Sequence, residues 1–100
     1  MSEVKNGKYV GGYGSSLWYL NDKSHLEDGP AVEFTDGTKE WYVNGQRHRE
    51  DGPAIENADG SKAWLLNGDR HREDGPAIEY INGTQEWWLN DTQLTEEEFN

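Results

Sequence analysis

The chain has 100 residues, of which 20 are acidic and 9 are basic, so its formal net charge is −11. This length allows one domain or one short repeat array. The acidic balance disfavours direct binding to DNA, RNA or anionic lipid and favours a basic protein partner. Cysteine is absent from the sequence, which excludes disulfides and thiolate metal sites.

Apolar residues make up 32% of the chain, a share that is low for a globular protein. Five Trp and five Tyr nevertheless supply large contact areas from few residues, so we expect a folded chain. The sequence shows neither the apolar core of a signal peptide nor an apolar run that could span a bilayer. We therefore expect a cytoplasmic protein.

A period of 23 residues runs through most of the sequence. Such a fixed period indicates stacked repeats of one structural unit. The residues that recur at this spacing are Trp18, Trp41, Trp64 and Trp87; His25, His48 and His71; and the Asp-Gly-Pro triplets that begin at Asp28, Asp51 and Asp74.

Each period predicts a β-hairpin, because Asn-Gly and Asp-Gly pairs favour tight turns between strands. In the best-defined repeat, one strand spans residues 38–44 and turns at Asn44-Gly45, and the chain returns through residues 46–49 and continues at 53–56. The predicted fold is all-β, an antiparallel meander of stacked hairpins. Thr95 and Glu98 form a capping-box pattern that predicts one short helical turn at the end.

The alternation of side chains along the Trp strands predicts two faces. Trp41 and Val43 share one face, on which we expect Val32, Ile55 and Ile78 to pack. A second, half-exposed stripe on the other face comprises Tyr19, Tyr42, Leu65 and Trp88. We interpret residues 1–100 as a single repeat domain, with an N-terminal leading strand or cap at 1–15, repeats at 16–91 and an acidic cap at 92–100.

The unit at residues 41–56, Trp-Tyr-Val-Asn-Gly-Gln-Arg-His-Arg-Glu-Asp-Gly-Pro-Ala-Ile-Glu, is similar to a repeat of many bacteriophage and large-virus proteins. It also resembles the MORN repeat in its period and its turns, although it lacks the Tyr-x-Gly step. The resemblance covers roughly residues 16–91. The resemblance to MORN repeats implies scaffolding and lipid contact. The likeness to viral repeats implies an inhibitor of host machinery, for example of the anti-CRISPR type, in the cytoplasm of the host cell.

The His-Arg-Glu-Asp motif at 48–51 and 71–74 invites a catalytic or metal-binding interpretation. Equivalent strands of neighbouring hairpins lie about 9.5 Å apart, whereas zinc needs each imidazole nitrogen at about 2.0–2.1 Å. We therefore expect the motif to order its loop, because Asp bonds nearby backbone at turns. The sequence predicts no enzyme, no catalytic residue, no cofactor and no metal.

The recurring carboxylates are the better candidates for a binding surface, although they could equally serve only to keep a Trp-rich sheet soluble. Our first hypothesis is a non-enzymatic protein that binds and inhibits a basic nucleic-acid-binding host protein. The second is a scaffolding module that joins partners, or forms a homodimer, through its aromatic face or an edge strand. The predicted partner-binding residues are Glu27, Asp28, Glu50, Asp51, Glu73, Asp74, Tyr19, Tyr42 and Trp88.

Overall fold

The computed structural model of the chain describes residues 6–11 and 14–99. It confirms the predicted all-β fold, an antiparallel array of hairpins followed by one short helix. The part of the predicted leading strand that falls on residues 1–5, 12 and 13 lies outside the described residues. We call residues 16–38 unit 1, residues 39–61 unit 2, residues 62–84 unit 3 and residues 85–91 the partial unit 4.

Antiparallel main-sheet ladders run through all the units, and the array measures 52 × 26 × 20 Å. Within units 1 to 3 each hairpin of this sheet pairs with the next, so that equivalent strands lie two strand positions apart. Numbered in chain order, the strands along this path are β1 (Gly7–Val10), β2 (Ser16–Leu20), β4 (Val32–Glu33), β5 (Lys39–Glu40), β8 (Ile55–Glu56), β9 (Lys62–Ala63), β12 (Ile78–Glu79), β13 (Gln85–Leu89) and β14 (Thr92–Leu94).

A second row of small hairpins projects from the main sheet, one from each of the first three units. These side hairpins are β2 with β3 (Lys23–Ser24), β6 (Tyr42–Val43) with β7 (Gln46–Arg47), and β10 (Leu65–Leu66) with β11 (Asp69–Arg70). The corresponding hairpin at the end of the array pairs β13 of unit 4 with β14, which follows that unit.

The continuous strand predicted over residues 38–44 is wrong for the central units, because the chain changes ladders at the tryptophan. The Trp41 N–H donates to the Ala54 carbonyl of the main sheet at 2.7 Å. The Trp41 carbonyl instead accepts the His48 N–H of the side hairpin at 2.9 Å. Trp64 makes the same two bonds, so each central tryptophan marks the point where the chain leaves one ladder for the other.

The turns of the side hairpins take the backbone conformation that the Asn-Gly pairs predict. Asn44 and Gly45 have φ values of 52° and 80°, and both values lie in the left-handed region that a type I′ turn requires. The last turn keeps this conformation without glycine, since Asn90 and Asp91 have φ values of 49° and 65°.

The core is thin, and its most deeply buried residues are three alanines. Ala31, Ala54 and Ala77 have no solvent exposure, whereas among the described residues no large side chain is completely buried. Each of these alanines lies where a tryptophan N–H bonds to its carbonyl, so two chain segments approach closely there. A larger side chain at these positions would force the segments apart.

The C-terminal cap follows the predicted capping box. The Thr95 N–H donates to the Glu98 carboxylate at 2.8 Å, and the Glu98 N–H donates to the Thr95 hydroxyl at 3.1 Å. The helix α1 (Glu96–Phe99) that follows is a single turn. The two reciprocal bonds satisfy backbone donors that would otherwise have no partner at the start of the helix.

Candidate partner-binding site

An arginine stacked on the repeat tryptophan organises the acidic loop of unit 2. The Arg49 guanidinium carbon lies 4.0 Å from the centre of the Trp41 ring. Its Nε donates to Asp51 at 3.1 Å, and one terminal nitrogen donates to the Pro53 carbonyl at 3.2 Å and to Glu56 at 3.0 Å. The guanidinium therefore joins a ring, two carboxylates and a backbone carbonyl in one compact site.

Unit 3 repeats this arrangement almost without change. Arg72 lies 3.9 Å from the centre of the Trp64 ring, and its nitrogens donate to Asp74, to the Pro76 carbonyl and to Glu79, each at 3.0 Å. The two copies show that the loop sequence folds reproducibly around a guanidinium.

The repeat histidines connect each unit to the next. The Asn44 N–H donates to Nδ1 of His25 at 3.0 Å, and the Asn67 N–H donates to Nδ1 of His48 at 2.9 Å. His71 accepts the Asn90 N–H in the same way at 2.9 Å. Each imidazole thus holds the next side-hairpin turn by its Nδ1 atom, while its Nε2 faces a glutamate of its own loop at 3.4–3.6 Å.

The predicted acidic residues form one exposed edge, which we call the acidic edge. The side chains of the three glutamates are 83–84% exposed, and those of Asp51 and Asp74 are 87% and 86% exposed. Although Asp51 and Asp74 each accept one bond from an arginine, most of their surface still faces solvent. The members of the acidic edge are Glu27, Asp28, Glu50, Asp51, Glu73 and Asp74.

Two grooves lie between successive loops of the acidic edge. The first groove has a volume of about 680 Å³ and is walled by the loops of units 1 and 2, with Trp41 and Val43 as apolar surface. The second has a volume of about 670 Å³ between the loops of units 2 and 3, with Trp64 and Leu66 in the equivalent places. Four carboxylates border each groove, and the first contains one arginine where the second contains two. The acidic edge therefore presents carboxylates beside apolar surface, a combination that suits basic side chains with long aliphatic stems.

The predicted aromatic stripe is only half exposed, and its members contact groups of the same chain. The Tyr42 hydroxyl donates to Glu40 at 2.8 Å, and the Arg70 guanidinium carbon lies 3.6 Å from the centre of the Trp88 ring. Tyr19 packs edge-to-face against Tyr9, with ring centres 5.5 Å apart. Leu65, which we expected in this half-exposed stripe, is instead buried at 8% exposure, and its carbonyl accepts the Arg49 N–H of the preceding unit at 3.2 Å.

Contacts within the side hairpins shift the pKa values of Tyr42 and Asp91. Burial, together with the hydrogen bond to Glu40, raises the pKa of the Tyr42 hydroxyl above its usual value. The hydrogen bond from the Arg70 guanidinium holds the pKa of Asp91 below its usual value. Both groups stabilise the array rather than face the acidic edge.

Sequence reasoning located the acidic edge but missed the arginine stacking that shapes it. The signal was available, because each arginine follows its tryptophan at the same separation in units 2 and 3, and unit 1 has Leu26 at the equivalent position. Nothing in a linear pattern, however, shows that the loop folds back over the ring.

Within residues 6–11 and 14–99, no group of three or more His, Cys, Asp or Glu side chains is arranged to hold a metal ion. The only helix in this part of the chain is a single turn, too short to cross a membrane. No protein-family model matches the chain, and no curated protein matches it.

Proposed function

We propose that this protein is a non-enzymatic binding protein whose acidic edge engages a basic partner protein. The observation that carries the proposal is the difference in solvent exposure between the acidic and the basic side chains along this edge. Five of the six edge carboxylates are 83–87% exposed, whereas the side chains of Arg49 and Arg72 are only 24% and 22% exposed and are folded onto their tryptophans. The surface offered to a partner is therefore strongly negative.

Electrostatic steering would be the first contribution of this surface to binding. With a net charge of −11, the chain attracts a positively charged groove at long range and orients it before contact. The grooves between the loops then add apolar contact with the stems of basic side chains.

The partner class that we propose is a basic, nucleic-acid-binding protein of a host cell, such as a CRISPR effector or another defence protein. A positively charged channel for nucleic acid is the kind of surface that an exposed carboxylate row complements. The likeness of residues 41–56 to repeats of viral proteins supports this choice of partner, and occupation of the channel would inhibit it.

The bonding of the histidines supports a binding role rather than an acid–base role. Nδ1 of His25, His48 and His71 already accepts a backbone N–H of the next unit. Removal of that acceptor would loosen the connection between units, so the imidazoles are better suited to hold the array together than to exchange protons with a substrate.

The alternative, a scaffold that joins copies or partners through its aromatic face, has less support. Tyr42 and Trp88 are half-buried and contact Glu40 and Arg70 of the same chain. A partner on this face would have to displace or cover those contacts. Among the described residues, strand β1 lies at the end of the main sheet and pairs only with β2, so pairing of two copies through this edge is the other form of the alternative.

The test is a paired charge reversal with a matched control. Glu50→Lys with Glu73→Lys removes two edge carboxylates that hold no arginine, so the stacked loops stay intact. Asp69→Lys with Glu97→Lys makes the same change in net charge at exposed positions that line neither main groove. Binding partners are captured from host lysate on each variant, identified, and their affinities measured with purified protein.

We expect the edge variant to bind at least about tenfold more weakly than the control variant, and binding to weaken steeply between about 0.05 M and 0.2 M salt. Equal binding by the two variants would contradict the assignment of the acidic edge. Salt-insensitive association that is lost on substitution of Tyr42 or Trp88 would instead support the scaffold.

A further inference from the structure

Unit 1 contains the backbone of the arginine site but not its arginine. The Trp18 N–H donates to the Ala31 carbonyl at 2.7 Å, as the Trp41 and Trp64 N–H groups do to Ala54 and Ala77. At the position of the arginine, unit 1 has Leu26, whose N–H donates to the next side hairpin at 3.1 Å. Arg49 and Arg72 make the same backbone bond at 3.2 and 3.1 Å. The three loops therefore start from the same geometry.

Within residues 6–11 and 14–99, the space that a guanidinium fills in units 2 and 3 is less closely filled in unit 1. A Cβ placed on Gly52 would meet three atoms of the Arg49 guanidinium at 2.9–3.3 Å, and Gly75 faces Arg72 just as closely. At Gly29 the equivalent Cβ would meet only a methyl carbon of Leu26 at 3.5 Å. Leu26 approaches this point less closely than Arg49 does, and it has no N–H group that could donate to the surrounding carboxylates and carbonyl. A groove of about 430 Å³ borders this position on the side of Trp18, Leu26 and Asp28, and it is the unit 1 counterpart of the wall that Trp41, Arg49 and Asp51 form in the first main groove.

The acceptors of the missing guanidinium are present and exposed. Asp28 corresponds to Asp51, and within residues 6–11 and 14–99 no basic side chain forms an ion pair with it. Glu33 corresponds to Glu56, which is half-buried under its arginine, whereas Glu33 itself is exposed. Unit 1 thus keeps the ring, the carbonyl position at Pro30 and two carboxylates, without the cation that joins them elsewhere.

We propose that unit 1 is a receptor for an arginine side chain of the partner, which inserts its guanidinium between Trp18, Asp28 and Glu33. This inference rests on the proposed function, since it names the group of the basic partner that the acidic edge would bind. The mode of binding is the one that the protein itself shows with Arg49 and Arg72.

The site selects arginine over lysine because of its shape. In unit 2 the planar guanidinium stacks on a ring and donates in its own plane to two carboxylates and one carbonyl. A lysine ammonium is a compact, strongly hydrated charge that cannot stack in this way or reach three separated acceptors at once. A partner arginine should therefore contribute specificity as well as charge at this end of the array.

The probe for the test is N-acetyl-arginine amide, titrated into the full chain while the indole N–H signals are followed by NMR. We expect saturable shifts of the Trp18 signal, with little change at Trp41 and Trp64, whose rings are already covered. N-acetyl-lysine amide at the same ionic strength should bind several-fold more weakly. Equal shifts with the two probes, or equal shifts at all three indoles, would overturn the proposal.

Leu26→Arg fills the site from within and should reduce probe binding at least about tenfold. Ile81→Arg is the matched control, because it adds the same charge at a residue that is 68% exposed on a distant turn, and it should leave probe binding unchanged. Asp28→Asn serves as a second variant that keeps Leu26, and it should also weaken binding. Unaltered binding by Leu26→Arg and Asp28→Asn would refute the receptor.

The same variants separate this inference from the proposed function. If a captured basic partner is lost by Glu50→Lys with Glu73→Lys but binds Leu26→Arg as tightly as the natural chain, the acidic edge is correct and the arginine receptor is wrong. If the arginine probe binds at Trp18 while no partner responds to reversal of the edge charges, the receptor stands and the proposed function fails.

Discussion

Unit 1 and unit 2 differ at one side chain that decides how the acidic loop is held. In unit 2, Arg49 joins the Trp41 ring to Asp51 and Glu56. In unit 1, Leu26 leaves the equivalent carboxylates to solvent, although the backbone bonds around Trp18 are the same. The comparison shows that the stacked arginine does not create the loop conformation. Its role is to neutralise part of the loop and to cover the tryptophan.

The largest effect is expected from truncation of the tryptophans. Trp41→Ala removes a half-buried ring together with the surface on which Arg49 stacks, so we expect a loss of about 3 kcal/mol in the free energy of unfolding. Trp18→Ala should cost about 1 kcal/mol less, because among the described residues no cation lies over that ring. Urea unfolding of both variants measures the difference, and equal losses would mean that the stacking contributes nothing.

Arg49→Leu gives the loop of unit 2 the leucine that unit 1 has at this position and so tests the comparison directly. The variant loses the stacking and the bonds to Asp51, the Pro53 carbonyl and Glu56, while the backbone should stay in place. We expect a decrease of about 2 kcal/mol in the free energy of unfolding, with an unchanged far-UV spectrum. Loss of the β spectrum would show that the arginine is needed for the loop to form at all.

The histidine bond is common to both units, so its removal should affect them alike. His25→Phe and His48→Phe each keep a ring but leave the N–H of Asn44 or Asn67 without its acceptor. Because these N–H groups are exposed and can bond to water, each variant should lose about 0.5–1 kcal/mol. Thermal unfolding compares the two, and losses that differ severalfold would show that the units are not connected equivalently.

The smallest effect is expected in the pH dependence of stability, through Asp91 in the last side hairpin. Asp91 stands where units 2 and 3 have glycine, and the hydrogen bond from Arg70 holds its pKa below the usual value. Its contribution to stability is therefore present above the ordinary carboxyl pKa and is lost as the pH falls through the lowered value. Asp91→Gly should flatten this part of the pH dependence of the urea midpoint, and an unchanged profile would contradict the assignment.

The repeat period, the side-hairpin turns and the C-terminal capping box could be predicted from sequence because each is encoded by residues that are close in the chain. The positive φ of Asn44 and Gly45 follows from the preferences of those two residues. The break at Trp41 could not be predicted, because residues 38–43 contain no glycine, proline or other turn signal. The break depends on the hydrogen bond from the Trp41 N–H to the carbonyl of Ala54, thirteen residues further along the chain.

The candidate site was predictable in its acidic residues and not in its cations. The recurrence of Glu50 and Asp51 indicates a row of carboxylates, whereas the stacking of Arg49 on Trp41 depends on how the loop returns over the main sheet. Leu26, on which the proposed arginine site depends, is apolar and has no charged or hydrogen-bonding group that would mark it in the sequence. Its role becomes visible only in the structure, where the backbone of its loop matches the loops that hold Arg49 and Arg72.

The bond between each histidine and the following turn has a consequence for the length of the protein. It gives the array a direction, since every unit from His25 onward provides an acceptor for its successor, and the series stops where Leu94 occupies the equivalent position. Asn6 provides the acceptor for the first turn at the other end. A further 23-residue copy could therefore be inserted between the ends without altering either. Each insertion would extend the acidic edge by about 9.5 Å, so the number of repeats sets the length of this edge.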